Sequence, residues 1–226
     1  MIELQSLRKS YGNKPILKGI DLTFQRGEIN GIVGENGAGK TTLFKCIAGL
    51  EEFEGKISYD NGILKNTLGF LPTNPFFLSK ITGYEYLQLV CNARNVVVEN
   101  WDNNNIFDLP LNQYADTYST GMRKKLAITG TLLQKNEVFI LDEPFNGVDI
   151  QSNMVIQEVL KKLKELNKIV LLSSHIFSTL SETCDFLHHL KEGNIVRSVS
   201  KDDFKMVEEG LTDRGIGSKI EKLQLQ

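Results

Sequence analysis

Gly34-Glu35-Asn36-Gly37-Ala38-Gly39-Lys40-Thr41, with Thr42 behind it, decides how the rest of the 226-residue chain is read. The stretch fits G-x-x-x-x-G-K-[ST], the phosphate-loop pattern. Ahead of it, Ile29 to Val33 is an apolar run of the kind that makes a buried strand. Behind it, Leu43, Phe44, Ile47 and Ala48 fall at helical spacing, and Gly49 stands where a helix would stop. A strand that turns through glycines into a helix N-terminus aims backbone N–H groups and the positive end of the helix dipole at one point, which makes an anion cradle. Gly34, Gly37 and Gly39 let the backbone wrap closely around phosphates. Lys40 reaches the outer phosphates, and the Thr41 hydroxyl takes a place on Mg²⁺. The stretch predicts a nucleoside triphosphate site.

Outside this stretch the composition is that of an ordinary folded protein. With 41% hydrophobic and 24% charged residues, the chain is long enough for one large domain or two small ones with a sizeable core. A net charge of −2 argues against wholesale nucleic-acid binding, which shows as a basic excess. Cys46, Cys91 and Cys184 are odd in number, far apart and without metal spacing, as reduced thiols of a cytosolic protein would be. Met1 to Gln5 alternates like a strand and lacks an apolar signal core. No run approaches the ~20 apolar residues that span a bilayer, so any link to a membrane is expected through a partner.

Along the chain, Met1 to Leu7 reads as a strand, Tyr11 to Pro15 as a turn and Ile16 to Phe24 as a second strand. Tyr11, an aromatic in a glycine turn upstream of a nucleotide site, either stacks on a purine or caps the core. Gly55 to Tyr59 is a strand closed by Asp60-Asn61-Gly62, a hairpin signal, and Leu68 to Leu71 is a short strand stopped by Pro72. From there to about residue 135 the pattern turns helical. Thr82-Gly83-Tyr84-Glu85 has capping-box spacing, and Asn92 to Asn105 reads as a surface connection. Tyr118-Ser119-Thr120-Gly121-Met122 precedes a helix that opens on Arg123-Lys124-Lys125, so Ser119 is either an ordinary N-cap or part of a second anion site.

Val138 to Leu141 has the pattern of a buried parallel strand, with Asp142 and Glu143 at its carboxyl end, where open α/β sheets bind ligands. Ser152 to Leu166 is an amphipathic helix with Val155, Ile156, Val159, Leu160, Leu163 and Leu166 in one stripe. The pairs Glu158–Lys162 and Lys161–Glu165 are expected on its wet side. Ile169 to Leu172 is a second buried strand, and His175 follows it toward the same crevice. Phe186 to Leu190 and Ile195-Val196 form a hairpin around Lys191 to Asn194. In that hairpin the neighbouring His188 and His189 face opposite sides and do not suit one metal. Asp202 to Gln226 reads as a terminal helix and tail.

Taken together, these segments resemble the nucleotide-binding subunit of an ABC (ATP-binding cassette) transporter over roughly residues 1 to 200, with every motif in the family's order. Gly34 to Thr41 is similar to Walker A, Phe139 to Pro144 to Walker B, Asn146 to Asp149 to the D-loop and His175 to the switch histidine. Tyr118 to Met122 stands where the family has its signature. The resemblance implies an α/β fold: a P-loop NTPase core with a mostly parallel sheet, an antiparallel β subdomain and a small α-helical subdomain at about 73–135. All of it lies in a single domain over 1–226, with 201–226 as C-terminal helix and tail.

The same resemblance implies an ATPase using ATP and Mg²⁺, with Thr41 and Asp142 on the metal and Glu143 as general base. His175 and Lys40 would steady charge on the γ-phosphate. Residues Gly34, Glu35, Asn36, Gly37, Ala38, Gly39, Lys40, Thr41 and Thr42 would cradle the nucleotide, and Tyr11 would stack on adenine. Ser119 and Gly121 would reach the γ-phosphate from a second cassette, the same chain or a related one, and Asp149 would lie at that interface. A polytopic membrane permease subunit is the implied partner, at the cytoplasmic face of the membrane, with apolar Phe76, Phe77 and Leu78 as candidate contacts. Two departures stand out. The signature carries Thr120 and Met122, as exporter cassettes do, and Thr73-Asn74 occupies the place of the Q-loop glutamine. The rival reading is a soluble cassette ATPase acting on nucleic acid or ribosomes, whose relatives carry a second cassette, a coiled-coil insertion or a zinc module. A P-loop kinase, the other rival, would not need Ser119 and Gly121.

Overall fold

The computed structural model describes residues 1–212. Strands β1 (Ile2–Tyr11) and β2 (Lys14–Phe24) pair antiparallel across Gly12-Asn13, with Gly12 at φ 57. Strand β3 (Glu28–Val33) then starts a second sheet, and helix α1 (Lys40–Ile47) leaves the phosphate loop behind it. Gly49, at φ 71, ends α1, the left-handed stop that its position predicts. Strand β4 (Glu54–Tyr59) returns to the free edge of β1, so the first sheet has the order β2-β1-β4.

The second sheet has the order β5-β6-β7-β3-β8-β9. In it β5 (Leu68–Leu71), β6 (Val138–Asp142), β7 (Ile169–Ser174), β3 and β8 (Phe186–Lys191) are parallel. Strand β9 (Asn194–Ser200) runs back antiparallel through a Glu192-Gly193 turn, both residues at positive φ as a tight hairpin requires. Helix α2 (Gly83–Asn92) and helix α3 (Thr120–Leu133) lie between β5 and β6 in the chain. Helix α4 (Ile150–Glu165) and helix α5 (Phe177–Thr183) flank β7, and helix α6 (Phe204–Thr212) follows β9. The remainder of the expected C-terminal tail, 213–226, lies outside the described residues. None of the described helices is long and apolar enough to cross a membrane.

Period-two alternation divides the buried strands between two cores. Val138, Ile140, Ile169 and Leu171 face a core shared with α1 and the antiparallel sheet, where Ile2, Leu4, Phe24 and Phe44 are buried. Phe139, Leu141, Val170 and Leu172 face the other side, against Ile156, Leu160 and Leu163 of α4, Leu180 of α5 and Phe204 of α6. Each such side chain contributes roughly 1.5–3 kcal/mol by leaving water, so the sheet is pinned from both faces. A third, smaller cluster holds α2 to α3 through Ile81, Leu87, Leu109, Ala115, Tyr118 and Leu126.

Two local expectations are corrected. Asp60-Asn61-Gly62 does not close a hairpin, because β4 pairs with β1 (Ile2 beside Tyr59) while β5 pairs with β6 in the other sheet. Turn chemistry is local, but the strand's partner is 57 residues away, and Gly62 at φ 81 only redirects the chain. On α4 the exposed ion pairs are Glu158–Lys161 at 2.6 Å and Lys162–Glu165 at 3.0 Å, at i,i+3 instead of i,i+4. Both are solvated and contribute little. In the asparagine-rich connection the side chains replace a backbone ladder: Asn105 Nδ2 donates to Leu109 O at 2.8 Å, and its Oδ1 accepts the Leu109 N–H at 3.0 Å.

Candidate nucleotide-binding and catalytic site

The carboxyl ends of β3, β6 and β7 lie side by side, in register at Val33–Ser174 and Asp142–Ser173. The phosphate loop rises from β3 and turns into α1 through Gly39, whose φ of 112 is closed to other residues at low cost. Gly34 has a different reason to be glycine: a Cβ there would collide with the backbone carbonyl of Leu190 on β8. Against this loop is a cavity of about 360 Å³ lined by Lys14, Ile16, residues of the loop, Thr73 and Glu143.

Lys40 is buried, and its Nζ donates to Gly34 O at 2.7 Å and Glu35 O at 3.2 Å while lying 3.9 Å from Glu143 Oε1. Burial lowers its pKa below the ordinary lysine value, with Glu143 and Asp142 opposing the shift. Asp142 is fully buried. Its Oδ2 accepts the Thr41 hydroxyl at 2.7 Å and the Thr73 hydroxyl at 2.6 Å, and its Oδ1 accepts the Ser173 hydroxyl at 2.6 Å. Glu143 sits at φ 52, a left-handed conformation that costs a non-glycine residue about 1–3 kcal/mol. Its N–H donates to Ser173 Oγ at 3.0 Å, and its Oε2 lies 2.9 Å from His175 Nδ1. Thr41, Thr73 and Asp142 thus converge on one point with oxygen atoms only, the donor chemistry that suits Mg²⁺ alongside substrate phosphates.

Sequence reasoning missed three residues here. Thr73 was visible only as a departure from the family's glutamine, yet its hydroxyl reaches Asp142 directly. Ser173, just past the expected strand Ile169 to Leu172, carried no site signal. Lys124 stood out only as one of three consecutive basic residues at a helix start, but it is buried and its Nζ donates to Thr73 O at 2.6 Å, with Pro72 O at 3.4 Å and Asp142 O at 3.5 Å. Burial pushes its pKa down to about 8 against the pull of Asp142 and Glu143. A signal existed: Lys124, Ala127, Ile128 and Thr131 occupy one helical stripe, and all four are buried.

The remaining candidates lie outside this cavity. Tyr11 is exposed, and Lys9 Nζ lies 4.9 Å from its ring centre. Ser119 caps α3, accepting the Met122 N–H at 3.2 Å. A Cβ on Gly121 would come within 2.7 Å of Gly147 O, so the signature glycine packs directly on the D-loop of its own chain. Asp149 caps α4 through Ser152 and pairs with Lys125 at 3.2 Å, bonds that hold its carboxyl well below the usual range. His188 is buried between Ser198 Oγ at 2.9 Å and Asn30 Oδ1 at 3.1 Å, and burial pushes its pKa down to about 4.

Comparison with known proteins agrees with this architecture. The family profile described as ABC transporter matches residues 17–146. The bacitracin transport ATP-binding protein BcrA of Enterococcus faecalis is 31% identical over 97% of this chain and 77% of that protein. The lantibiotic transport ATP-binding protein SrtF of Streptococcus pyogenes is 28% identical over 92% of this chain and 95% of that protein. A solved structure described as the ATP binding subunit of an ABC transporter superposes with a TM-score of 0.81 at 26% identity, covering 96% of this chain and 97% of that one. A dimeric cassette bound to ADP and Pi in a post-hydrolysis state shares the fold, with a TM-score of 0.79 at 21% identity over 89% of this chain and 99% of that one. The chain belongs to the ABC transporter family, and it is the ATP-binding ATPase component. These relatives give no support to the nucleic-acid or ribosome alternative.

Proposed function

We propose that the chain drives export of a solute by hydrolysing Mg·ATP at the ends of β3, β6 and β7, with the lid of the site supplied by a second cassette. The observation that carries this reading is the convergence of Thr41, Thr73 and Asp142 on one point, with Glu143 and Lys40 beside it. In this reading the residues from Gly34 to Thr42 cradle the phosphates, and Lys40 exchanges its bonds to Gly34 and Glu35 carbonyls for phosphate oxygens. Thr41, Asp142 and Thr73 would hold Mg²⁺, which would supply positive charge to offset that of the phosphates. Glu143 takes the proton of the attacking water. His175, 2.9 Å from the Glu143 carboxylate, orients that group and steadies charge on the transferred phosphoryl. Tyr11, exposed and with Lys9 beside its ring, stacks on adenine.

Ser119 and Gly121 lie outside their own cavity, so they serve the nucleotide of a facing cassette, the same chain or a related one. Asp149, tied to Lys125 of α3, would carry that cassette's closure to the D-loop. The membrane partner is a polytopic permease subunit, with this chain held peripherally at the cytoplasmic face. Phe76, 82% exposed, and Leu78, 54% exposed, are apolar groups for that contact, whereas Phe77, the third candidate, packs inward against Tyr86 with ring centres 4.7 Å apart. Export is favoured by the signature form and by the antibiotic-transport relatives. The test is Glu143→Gln: the purified variant should bind ATP, accumulate as a dimer and lose turnover, whereas hydrolysis at the wild-type rate overturns the base assignment. Failure of any polytopic protein to co-purify with the native chain would count against the transport role.

A further inference from the structure

Ser173 stands on β7 directly beside Asp142 of β6, with no solvent exposure. A hydroxyl has one proton to give and lone pairs to receive with, and here both capacities are spent on the acid pair. The Ser173 proton goes to Asp142 Oδ1 at 2.6 Å, and its oxygen accepts the Glu143 N–H at 3.0 Å. The first bond occupies Oδ1 and leaves Oδ2 to face Thr41 and Thr73. The second holds the one peptide of this segment in a left-handed conformation, Glu143 at φ 52. Two residues further along, His175 Nδ1 lies 2.9 Å from Glu143 Oε2. The end of β7 therefore grips Glu143 twice, by its backbone through Ser173 and by its carboxylate through His175.

We infer that Ser173 is a positioning residue: its single hydroxyl sets the metal-holding carboxylate of Asp142 and the general base Glu143 at a fixed separation and angle. The inference rests on the roles proposed above for those two acids. An ordinary buried serine on a strand could satisfy itself on a backbone carbonyl and leave the site untouched. This one is bonded to the two consecutive residues whose mutual geometry decides whether metal and base act on the same phosphate. Ser173→Ala removes the support of Asp142 Oδ1 and leaves a buried N–H of Glu143 without its acceptor.

The experiment measures affinity for a fluorescent ATP analogue in Mg²⁺ and in EDTA, together with kcat, KM and melting temperature, for Ser173→Ala, Ser173→Thr and Glu143→Gln. For Ser173→Ala the account expects the Mg²⁺-dependent gain in affinity to shrink roughly tenfold and kcat to fall at least tenfold, the loss of about one hydrogen bond to a charged group. Affinity in EDTA, set by the phosphate loop, should stay within about twofold, since a loss confined to one site leaves distant contacts intact. Ser173→Thr keeps the hydroxyl and should restore the Mg²⁺-dependent gain. If threonine does not fit the buried space, Ser173→Cys, a weaker donor, should fall between serine and alanine. A wild-type Mg²⁺ response in Ser173→Ala overturns the inference, as does an equal loss of affinity in Mg²⁺ and EDTA that tracks the melting temperature. Turnover by Glu143→Gln at the wild-type rate would instead sink the reading of the acids themselves.

Discussion

The strand ends of β3, β6 and β7 and the segment spanning residues 72–118 both contribute to the rim of the nucleotide cavity, but they are held by different means. The strand ends are registered by backbone pairing and buried on both faces, with Asp142 bonded to Ser173 and Glu143 to Ser173 and His175, while Thr41 of α1 and Thr73 of the second segment donate to Asp142. The segment from 72 to 118 has one capped helix, an isolated bridge between Thr82 and Tyr114, asparagine side-chain bonds and a small cluster around Leu87 and Leu109. It also exposes Phe76, Leu78 and Val97. The acid pair and its bonded neighbours sit where the backbone is pinned, and the segment from 72 to 118 is held by fewer such ties. Lys124 joins the two, reaching from α3 to the carbonyls of Thr73 and Asp142.

The largest effect should come from breaking the pinned side chemically. Glu143→Gln is expected to cut turnover by about 10³-fold with little loss of ATP affinity, read by phosphate release and nucleotide binding. Next is the pH response of the strand core. His188 has a folded pKa of about 4 against an ordinary 6.5, so between these values the unfolded chain binds more protons. Stability from this group is complete above pH 6.5 and lost as pH falls toward 4, a change of about 3 kcal/mol. Urea titrations across this window should show that loss in the wild type and much less of it in His188→Gln.

Severing the tie between the two regions should cost less. Lys124→Met is expected to lower kcat roughly tenfold and to lower the melting temperature as well, because removing the cation leaves the Thr73 carbonyl and the buried Asp142 carboxylate without their partner. A large loss of stability with unchanged turnover would make Lys124 a packing residue and dissolve the comparison. The smallest effect belongs to the loosely held side. Thr82→Ala removes the N-cap of α2, whose hydroxyl accepts the Glu85 N–H at 3.2 Å, and should cost about 1 kcal/mol. Hydrogen exchange should place that loss in α2 and leave β6 and β7 protected.

What could be read in the chain follows the same division. The phosphate loop, β6 with its two acids and His175 after β7 were legible because each is a short contiguous pattern whose chemistry needs no distant partner. The capping box at Thr82 and Glu85 was legible for the same reason. Asp60-Asn61-Gly62 misled because the turn is local but the partner of β4 is β1. Thr73 was legible only as the residue in place of the Q-loop glutamine and Ser173 not at all as a site residue, because which carboxylate each faces depends on strand order. Lys124 was hidden by its neighbours Arg123 and Lys125, although its place on the buried stripe with Ala127, Ile128 and Thr131 marked it as inward-facing.

The most direct test of the central claim is calorimetric titration of the purified chain with ATP, in Mg²⁺ and in EDTA, alongside Lys40→Ala and Asp142→Asn. The account predicts one site per chain that tightens with Mg²⁺, loss of binding in Lys40→Ala, and loss of only the Mg²⁺-dependent part in Asp142→Asn. No heat from the wild type with Mg·ATP, or an unchanged Mg²⁺ response in Asp142→Asn, would contradict it.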